Sequence, residues 1–378
     1  MLRKASLILN LFLLILIVII AGCDKDKSIT KPEFTSLEEE IDDIAQRYVK
    51  VGAIVGIINK QQERLVFSYG TKSINNNEPP DINTVFEIGS ITKTFTTTLA
   101  ADMYIEGYFT DDTVGHYLPA NKVTMPSRQG VEIRFVHLAT HTSGIPRSPQ
   151  RDPTFPLPEE YDPLNPYADY TTEHIYDYLT NYCILEFTPG TWWSYSNTGM
   201  GLLGHIMGLV DGTSYKTVLN RELFDVLGMD NSSLFLNEQQ RDNLALGHNS
   251  GKEIVPNWYA NDIFQGTGFI KSCLNDMFKY LEANMGLVES PLREAMDLAH
   301  QPQMHQGSMG DQGLAWYILE LDDGQTVVYS AGDTNGYSAY IGFNKSALTG
   351  AIILLNCSMH DGSNLGSGAS LLKAVMKY

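Results

Sequence analysis

Phe86-Glu87-Ile88-Gly89-Ser90-Ile91-Thr92-Lys93-Thr94-Phe95-Thr96 sets a Ser-x-x-Lys pair between a glycine turn and an apolar, Thr-rich run of helical pattern. A helix starting near Ser90 puts Lys93 three residues on along the same face, within reach of the hydroxyl. A lysine so placed takes part in deprotonating the serine, which makes Ser90 a candidate nucleophile for acyl transfer. The plainer reading is an N-cap serine followed one turn later by an exposed lysine. The same pair occurs at Ser28 to Lys31 and at Ser370 to Lys373. Ser28 falls in a charged segment behind an apolar leader. Ser370 lies in Ala369-Ser370-Leu371-Leu372-Lys373-Ala374-Val375-Met376, which reads as an amphipathic helix closing the fold. Context therefore selects Ser90.

The leader has Arg3 and Lys4, an apolar run over 9–20 broken only at Asn10, and then Ile20-Ala21-Gly22-Cys23. Small residues before a cysteine suit signal-peptidase cleavage with a lipid on the thiol, so residues 1–22 read as a lipoprotein signal peptide and Cys23 as the lipidation site. A plain transmembrane anchor is the competing reading. Residues 23–36 are polar and alternately charged, as suits a tether. The chain has 26 Lys and Arg against 44 Asp and Glu; without residues 1–22 it is 24 against 44, a net charge of −20. So acidic a surface argues against nucleic acid as a partner. Cys183, Cys273 and Cys357 are widely spaced and odd in number, which points to isolated thiols rather than a disulfide framework or a metal site.

Residues 37–48 alternate acidic and apolar at helical spacing, and 51–58 and 64–69 read as strands of a hairpin. Residues 326–329, 337–343 and 350–355 are further strands, followed by helix from 365. Between them, 202–210, 215–227 and 275–285 are the clearest helices. Strands at both ends with helices between predict an α+β fold: a mixed, mainly antiparallel sheet flanked by helices, with an inserted, mostly helical domain. The hydrolase domain then spans 37–378, its sheet part about 37–93 plus 312–378 and its helical part about 94–311. Seven prolines between Ile145 and Pro166 require an extended loop, which either rims a site or runs over the surface.

A second chemical candidate lies at Phe187-Thr188-Pro189-Gly190-Thr191-Trp192-Trp193-Ser194-Tyr195-Ser196-Asn197. Tyr195 is a candidate proton shuttle, its phenol pKa lowered by nearby cations or N–H dipoles. Asn197, two residues on, would offer its amide to the lysine and the substrate. A competing Tyr-x-Asn at Tyr259 to Asn261 lacks the Pro-Gly entry.

Taken in order, these segments resemble the serine hydrolases grouped as class C β-lactamases and their penicillin-binding relatives. Leu138-Ala139-Thr140-His141-Thr142-Ser143-Gly144-Ile145-Pro146 looks like that family's turn between its first two motifs. Gly313-Leu314-Ala315-Trp316-Tyr317 and Gly336-Tyr337-Ser338-Ala339-Tyr340-Ile341-Gly342-Phe343 continue the likeness, which spans roughly 37–378 and is nearest the D-alanyl-D-alanine carboxypeptidase/endopeptidase branch. The resemblance implies a β-lactamase/transpeptidase-like fold and no cofactor. It also implies an acyl-enzyme at Ser90, with Lys93 and Tyr195 moving the proton, and a small-molecule β-lactam or a peptidoglycan peptide as substrate. Which of the two side chains is the base is left open. One departure is plain: the family's third motif, Lys-Thr-Gly or His-x-Gly, falls here on Ser330-Ala331-Gly332, followed by Asp333. By resemblance Ser330, Gly332 and Asp333 join Asn197 in binding substrate, and the N–H groups of Ser90 and Asp333 form the oxyanion hole. A hydroxyl at Ser330 still bonds a carboxylate but brings no charge.

His137 and His141 have the i, i+4 spacing of zinc ligands, but Leu138 stands where His-Glu-x-x-His needs its glutamate, so no metal is expected. No Gly-x-Ser-x-Gly occurs, which removes the nucleophile elbow. An esterase on the same scaffold is favoured by the missing cation, and a non-catalytic, membrane-tethered binding protein is disfavoured by the retained Ser90, Lys93 and Tyr195. The lipid at Cys23 would hold the domain in the bacterial cell envelope, outside the cytoplasm.

Overall fold

The computed structural model describes residues 34–378 apart from 111, 261–262, 308–309 and 360–362. The signal peptide, Cys23 and nearly all of the tether lie outside these residues.

The described chain enters the fold through α1 (Leu37–Tyr48). Ser36 caps it, its Oγ accepting the Glu39 amide N–H at 3.3 Å, and Glu38, Glu39 and Glu40 in the first turn with Arg47 in the last complement the helix dipole. Leu37, Ile41, Ile44 and Ala45 recur at the helical period and are the buried residues. β1 (Gly52–Ile58) is buried at every position, whereas β2 (Arg64–Gly70) alternates between exposed and half-buried. Such an apolar run belongs inside a sheet with both faces covered, and the alternating strand belongs at its edge.

The remaining elements that build the site are β3 (Val85–Glu87), α2 (Thr92–Ile105), α3 (Asn197–Asp211), β4 (Lys271–Cys273) and α4 (Leu274–Met285). They are followed by β5 (Met304–His305), β6 (Asp311–Gln312), β7 (Tyr317–Glu320), β8 (Thr326–Asp333), β9 (Ser338–Asn344), β10 (Thr349–Leu355) and α5 (Ser363–Lys377). One sheet runs in the order β2-β1-β10-β9-β8-β7-β6-β5, and β3 pairs with β4 in a second. All these strand pairs are antiparallel, and among the described residues parallel contact is confined to the single bridges Val85–Leu244 and His248–Cys357. The α+β class with strands from both ends is thus observed.

Side chains alternate across the large sheet with the period of two that a strand imposes. Ala53, Val55 and Ile57 meet α1 and α5, while Ile54 and Ile58 join the larger core that contains α2 and α4. Two differences from expectation have local causes. β8 continues to Asp333, four residues beyond the apolar run 326–329, because pairing with β9 carries it through Ser330-Ala331-Gly332. β5 and β6 are two residues each, too short to leave a periodic signal.

α2 is buried around nearly its whole circumference despite five threonines. Three of their hydroxyls donate to carbonyls: Thr94 Oγ1 to Ile91 O at 2.8 Å, Thr96 Oγ1 to Gly266 O at 2.7 Å and Thr97 Oγ1 to Leu314 O at 2.8 Å. Polar groups satisfied in this way add little desolvation cost, so a Thr-rich helix can run through the core. Phe95 stacks on Tyr280 at 3.8 Å between centroids, fixing the helix against α4.

Candidate active site

Ser90 sits in a short 3-10 turn, Gly89–Ile91, between β3 and α2. Two devices hold this turn. β3 is clamped by β4, with Glu87 opposite Lys271 and the Ile88 N–H donating to Ile270 O at 3.1 Å. Glu87 and Lys271 are both buried and hydrogen-bonded: Glu87 Oε1 accepts Trp258 N–H at 2.7 Å and Asn257 Nδ2 at 3.0 Å, while Lys271 Nζ donates to carbonyls of Leu234, Trp258 and Phe269. The second device is glycine. Gly89 has φ +50°, and a Cβ there would stand 2.7 Å from Asp333 N; a Cβ on Gly332 would stand 2.1 Å from Ile88 O and 2.5 Å from Ser90 N. Without side chains between them, the end of β8 and the Ser90 turn touch backbone to backbone.

Lys93, the second residue of α2, is buried, and its Nζ lies 3.0 Å from Ser90 Oγ and donates to Thr267 O at 2.5 Å. Burial, with the Arg147 guanidinium nearby, pulls its pKa well below the ordinary 10.5. The Tyr195 hydroxyl donates to Ser90 Oγ at 2.7 Å. Its pKa is pushed up to about 12, mainly by burial, which outweighs the lowering by Arg147 and by the Ser90 hydrogen bond. This corrects the expectation of a lowered phenol pKa: the cations are present, but desolvation is the larger effect.

Tyr195 is oriented by the segment carrying His141. His141 is buried with φ +60°, its carbonyl accepts Ser194 N–H at 2.9 Å, and its Nδ1 accepts Ser196 N–H at 3.2 Å. Its ring lies 4.4 Å from the Tyr195 ring. Burial, Lys93 and Arg147 all push its pKa down, which suits a neutral, accepting imidazole. His137 faces elsewhere, its Nδ1 accepting Arg134 N–H at 3.2 Å.

The Pro-rich loop is tied to the site at both ends. The Arg147 carbonyl accepts Asn197 N–H at 2.9 Å and Thr198 N–H at 3.2 Å, and the Leu164 carbonyl accepts Trp258 Nε1 at 2.7 Å and Asn335 Nδ2 at 2.6 Å. Tyr167, just past the loop, receives the Asn197 Nδ2 donor at 2.6 Å. Asn197 is therefore at the site, but its amide engages Tyr167, and the described hydrogen bonds of Lys93 are with Ser90 and Thr267.

Ser330 is buried on β8, opposite Ile341, and offers a hydroxyl and no charge. The Asp333 carboxylate accepts from Ser338 Oγ and from Asn364 Nδ2, the latter at 2.9 Å, which anchors the end of β8. Thr267, Tyr167, His141 and Arg147 are the site residues that sequence reasoning did not single out for chemistry. His141 and Arg147 bracket the Thr-Ser-Gly-Ile-Pro stretch and so had a signal; Tyr167 and Thr267 had none. A cavity of about 230 Å³ lined by Phe109, Phe135 and Leu203 among others contains none of Ser90, Lys93 or Tyr195.

The family model described as Beta-lactamase matches residues 37–366. A curated β-lactamase of Pseudomonas fluorescens is 26% identical over 374 residues, covering 90% of this chain and 98% of the relative. One of Lysobacter lactamgenus is 26% identical over 347 residues, covering 83% and 84%. A solved structure titled as a class C β-lactamase superposes with a TM-score of 0.75 at 24% identity, covering 89% of this chain and 96% of that one. A β-lactamase/D-alanine carboxypeptidase from Pseudomonas syringae superposes with a TM-score of 0.74 at 24% identity, covering 89% and 97%. With the family model covering nearly all of the described chain, this protein belongs to the β-lactamase family and is a serine hydrolase of that fold.

Proposed function

We propose that this chain hydrolyses β-lactams or D-alanyl-D-alanine-type cell-wall peptides through an acyl-enzyme at Ser90. The observation that carries the reading is the convergence of Lys93 Nζ and Tyr195 Oη on Ser90 Oγ, at 3.0 and 2.7 Å. Lys93, its pKa pulled well below the ordinary 10.5 by burial, accepts the Ser90 proton as Oγ bonds to the acyl carbon. Tyr195, which keeps its proton, passes it to the leaving nitrogen as the C–N bond breaks and is reprotonated from Lys93. Water then adds to the acyl carbon and releases Ser90. The N–H groups of Ser90 and Asp333, brought together by Gly89 and Gly332, are the donors for the oxyanion, each worth about 3 kcal/mol. The uncharged Ser330 favours a second reading, an esterase on the same machinery, since neutral esters need no carboxylate anchor. The leader and Cys23 support a lipid-anchored place in the cell envelope.

The test is the intact mass of the full-length chain minutes after mixing with a penicillin, beside Ser90→Ala, with the small-molecule product followed in the same sample. A lasting adduct absent from the variant is the outcome for a slowly deacylating penicillin-binding enzyme; Ser90-dependent product without adduct is the outcome for a β-lactamase. No adduct and no product would reject the β-lactam reading in favour of the esterase.

A further inference from the structure

The family resemblance asks for a cation at the end of β8, where this chain has Ser330. A positive charge nevertheless stands at the site, on a different element. Arg147 opens the Pro-rich loop, and its guanidinium carbon lies 4.7 Å from the centroid of the Tyr195 ring. Its root is fixed, because its own carbonyl accepts the Asn197 and Thr198 N–H groups at the start of α3. The side chain is exposed. Among the described residues no carboxylate lies within ion-pair distance of it, whereas Arg47, Arg64, Arg134, Arg221 and Arg293 each hold an acid. An unpaired arginine on so acidic a chain keeps its charge available for a ligand. That charge is felt through the site: it helps to push down the pKa values of Lys93 and His141 and offsets the rise at Tyr195 and at Tyr317 of β7, beside β8.

We infer that the Arg147 guanidinium, held over the Tyr195 ring, receives the carboxylate of the acyl donor in place of the cation that Ser330 lacks. This rests on the hydrolase reading above and deepens it. Stacking on the phenol leaves the N–H edge of the fork free for two parallel bonds to a carboxylate. The cation is thereby moved from the sheet to the loop that rims the site, beside the proton-transfer group. The same placement selects against neutral donors, because a guanidinium desolvated by a bound substrate without a carboxylate has no partner.

The experiment measures kcat/KM of the full-length chain for benzylpenicillin against its methyl ester, and for an N-acylated D-Ala-D-Ala against its C-terminal amide. Labelling of Ser90 by a fluorophosphonate is scored in parallel. The wild type is expected to prefer the acids. Arg147→Ala should cut the acid-to-neutral ratio by roughly ten- to a hundred-fold. Arg147→Lys should retain part of it, and Ser330→Lys added to Arg147→Ala should restore part of it. A labelled, reactive Arg147→Ala with the wild-type ratio overturns the role of Arg147 alone. A labelled wild type that reacts with neither acid, or shows no preference for the acids, overturns it also and leaves Ser90 as the nucleophile. Failure of every donor and probe to react at Ser90 overturns the hydrolase reading and this inference with it.

Discussion

Gly332→Ala tests whether the close seat of β8 on the nucleophile turn sets the reaction geometry. An alanine Cβ there would stand 2.1 Å from Ile88 O, 2.5 Å from Ser90 N and 2.9 Å from the Gly89 carbonyl carbon. All three atoms are backbone, so no side-chain rotation relieves the overlap. Ordinary contact begins near 3.4 Å, so about 1.3 Å must open between β8 and the turn. β8 is paired on both sides, by β7 and by β9, and the turn is tied to β4 and to α2, so the strain falls between them. Misplacing a reacting group by ~1 Å costs on the order of a hundred-fold, and losing an oxyanion donor costs a similar or larger factor. We expect kcat of the full-length variant to fall by roughly 10²- to 10³-fold, with a stability loss of about 1–3 kcal/mol from overpacking. The assay is steady-state turnover of the best acyl donor beside a thermal melt. Gly107→Ala is the control, since Gly107 has φ +77° and no neighbour within 4 Å of its added Cβ, so backbone strain is present without a clash. A folded Gly332→Ala with kcat within threefold of wild type would refute the reasoning.

The pH dependence follows from the two pKa directions at the site. Lys93 must be neutral to accept a proton, so kcat is lost as pH falls through its lowered pKa; Tyr195 must be protonated and stays so up to about 12, so it adds no alkaline loss below that value. Arg147→Ala removes a repulsion on Lys93, and the acid limb of the kcat–pH profile is expected to move to higher pH; a limb that stays put or moves down would exclude Lys93 as the base. At the other end of the chain, Cys23→Ala should abolish incorporation of labelled palmitate in cells and release the protein from membranes; an unlabelled wild type would reject the lipid anchor.

Much of this architecture was legible in the sequence because its signals are local. Helix 37–48 carries its dipole charges and its apolar stripe within twelve residues and its cap, Ser36, just before them, and structure and expectation coincide there. The strands at 52–58 and 349–355 are continuous apolar runs, as sheet-interior strands must be. The Ser-x-x-Lys spacing set Lys93 beside Ser90 because three residues along a helix is a fixed distance, and the 3.0 Å separation follows. The motifs also carried the family and hence the fold.

What the sequence could not decide depends on residues that meet only after the chain has closed. Tyr195 reaches Ser90 across 105 positions, and Thr267 meets Lys93 across 174. The sign of the Tyr195 shift was misjudged from neighbouring charges alone, because burial by the whole fold outweighs them. Arg147 follows the Thr-Ser-Gly-Ile-Pro stretch, but its place over Tyr195 exists only because the loop is pinned to the start of α3. Sequence alone determined which groups are candidates for the chemistry, since their identity and short spacings are covalent. Tertiary structure decided the direction of their pKa shifts and the placing of Arg147 over Tyr195, since desolvation and long-range charge depend on everything packed around them.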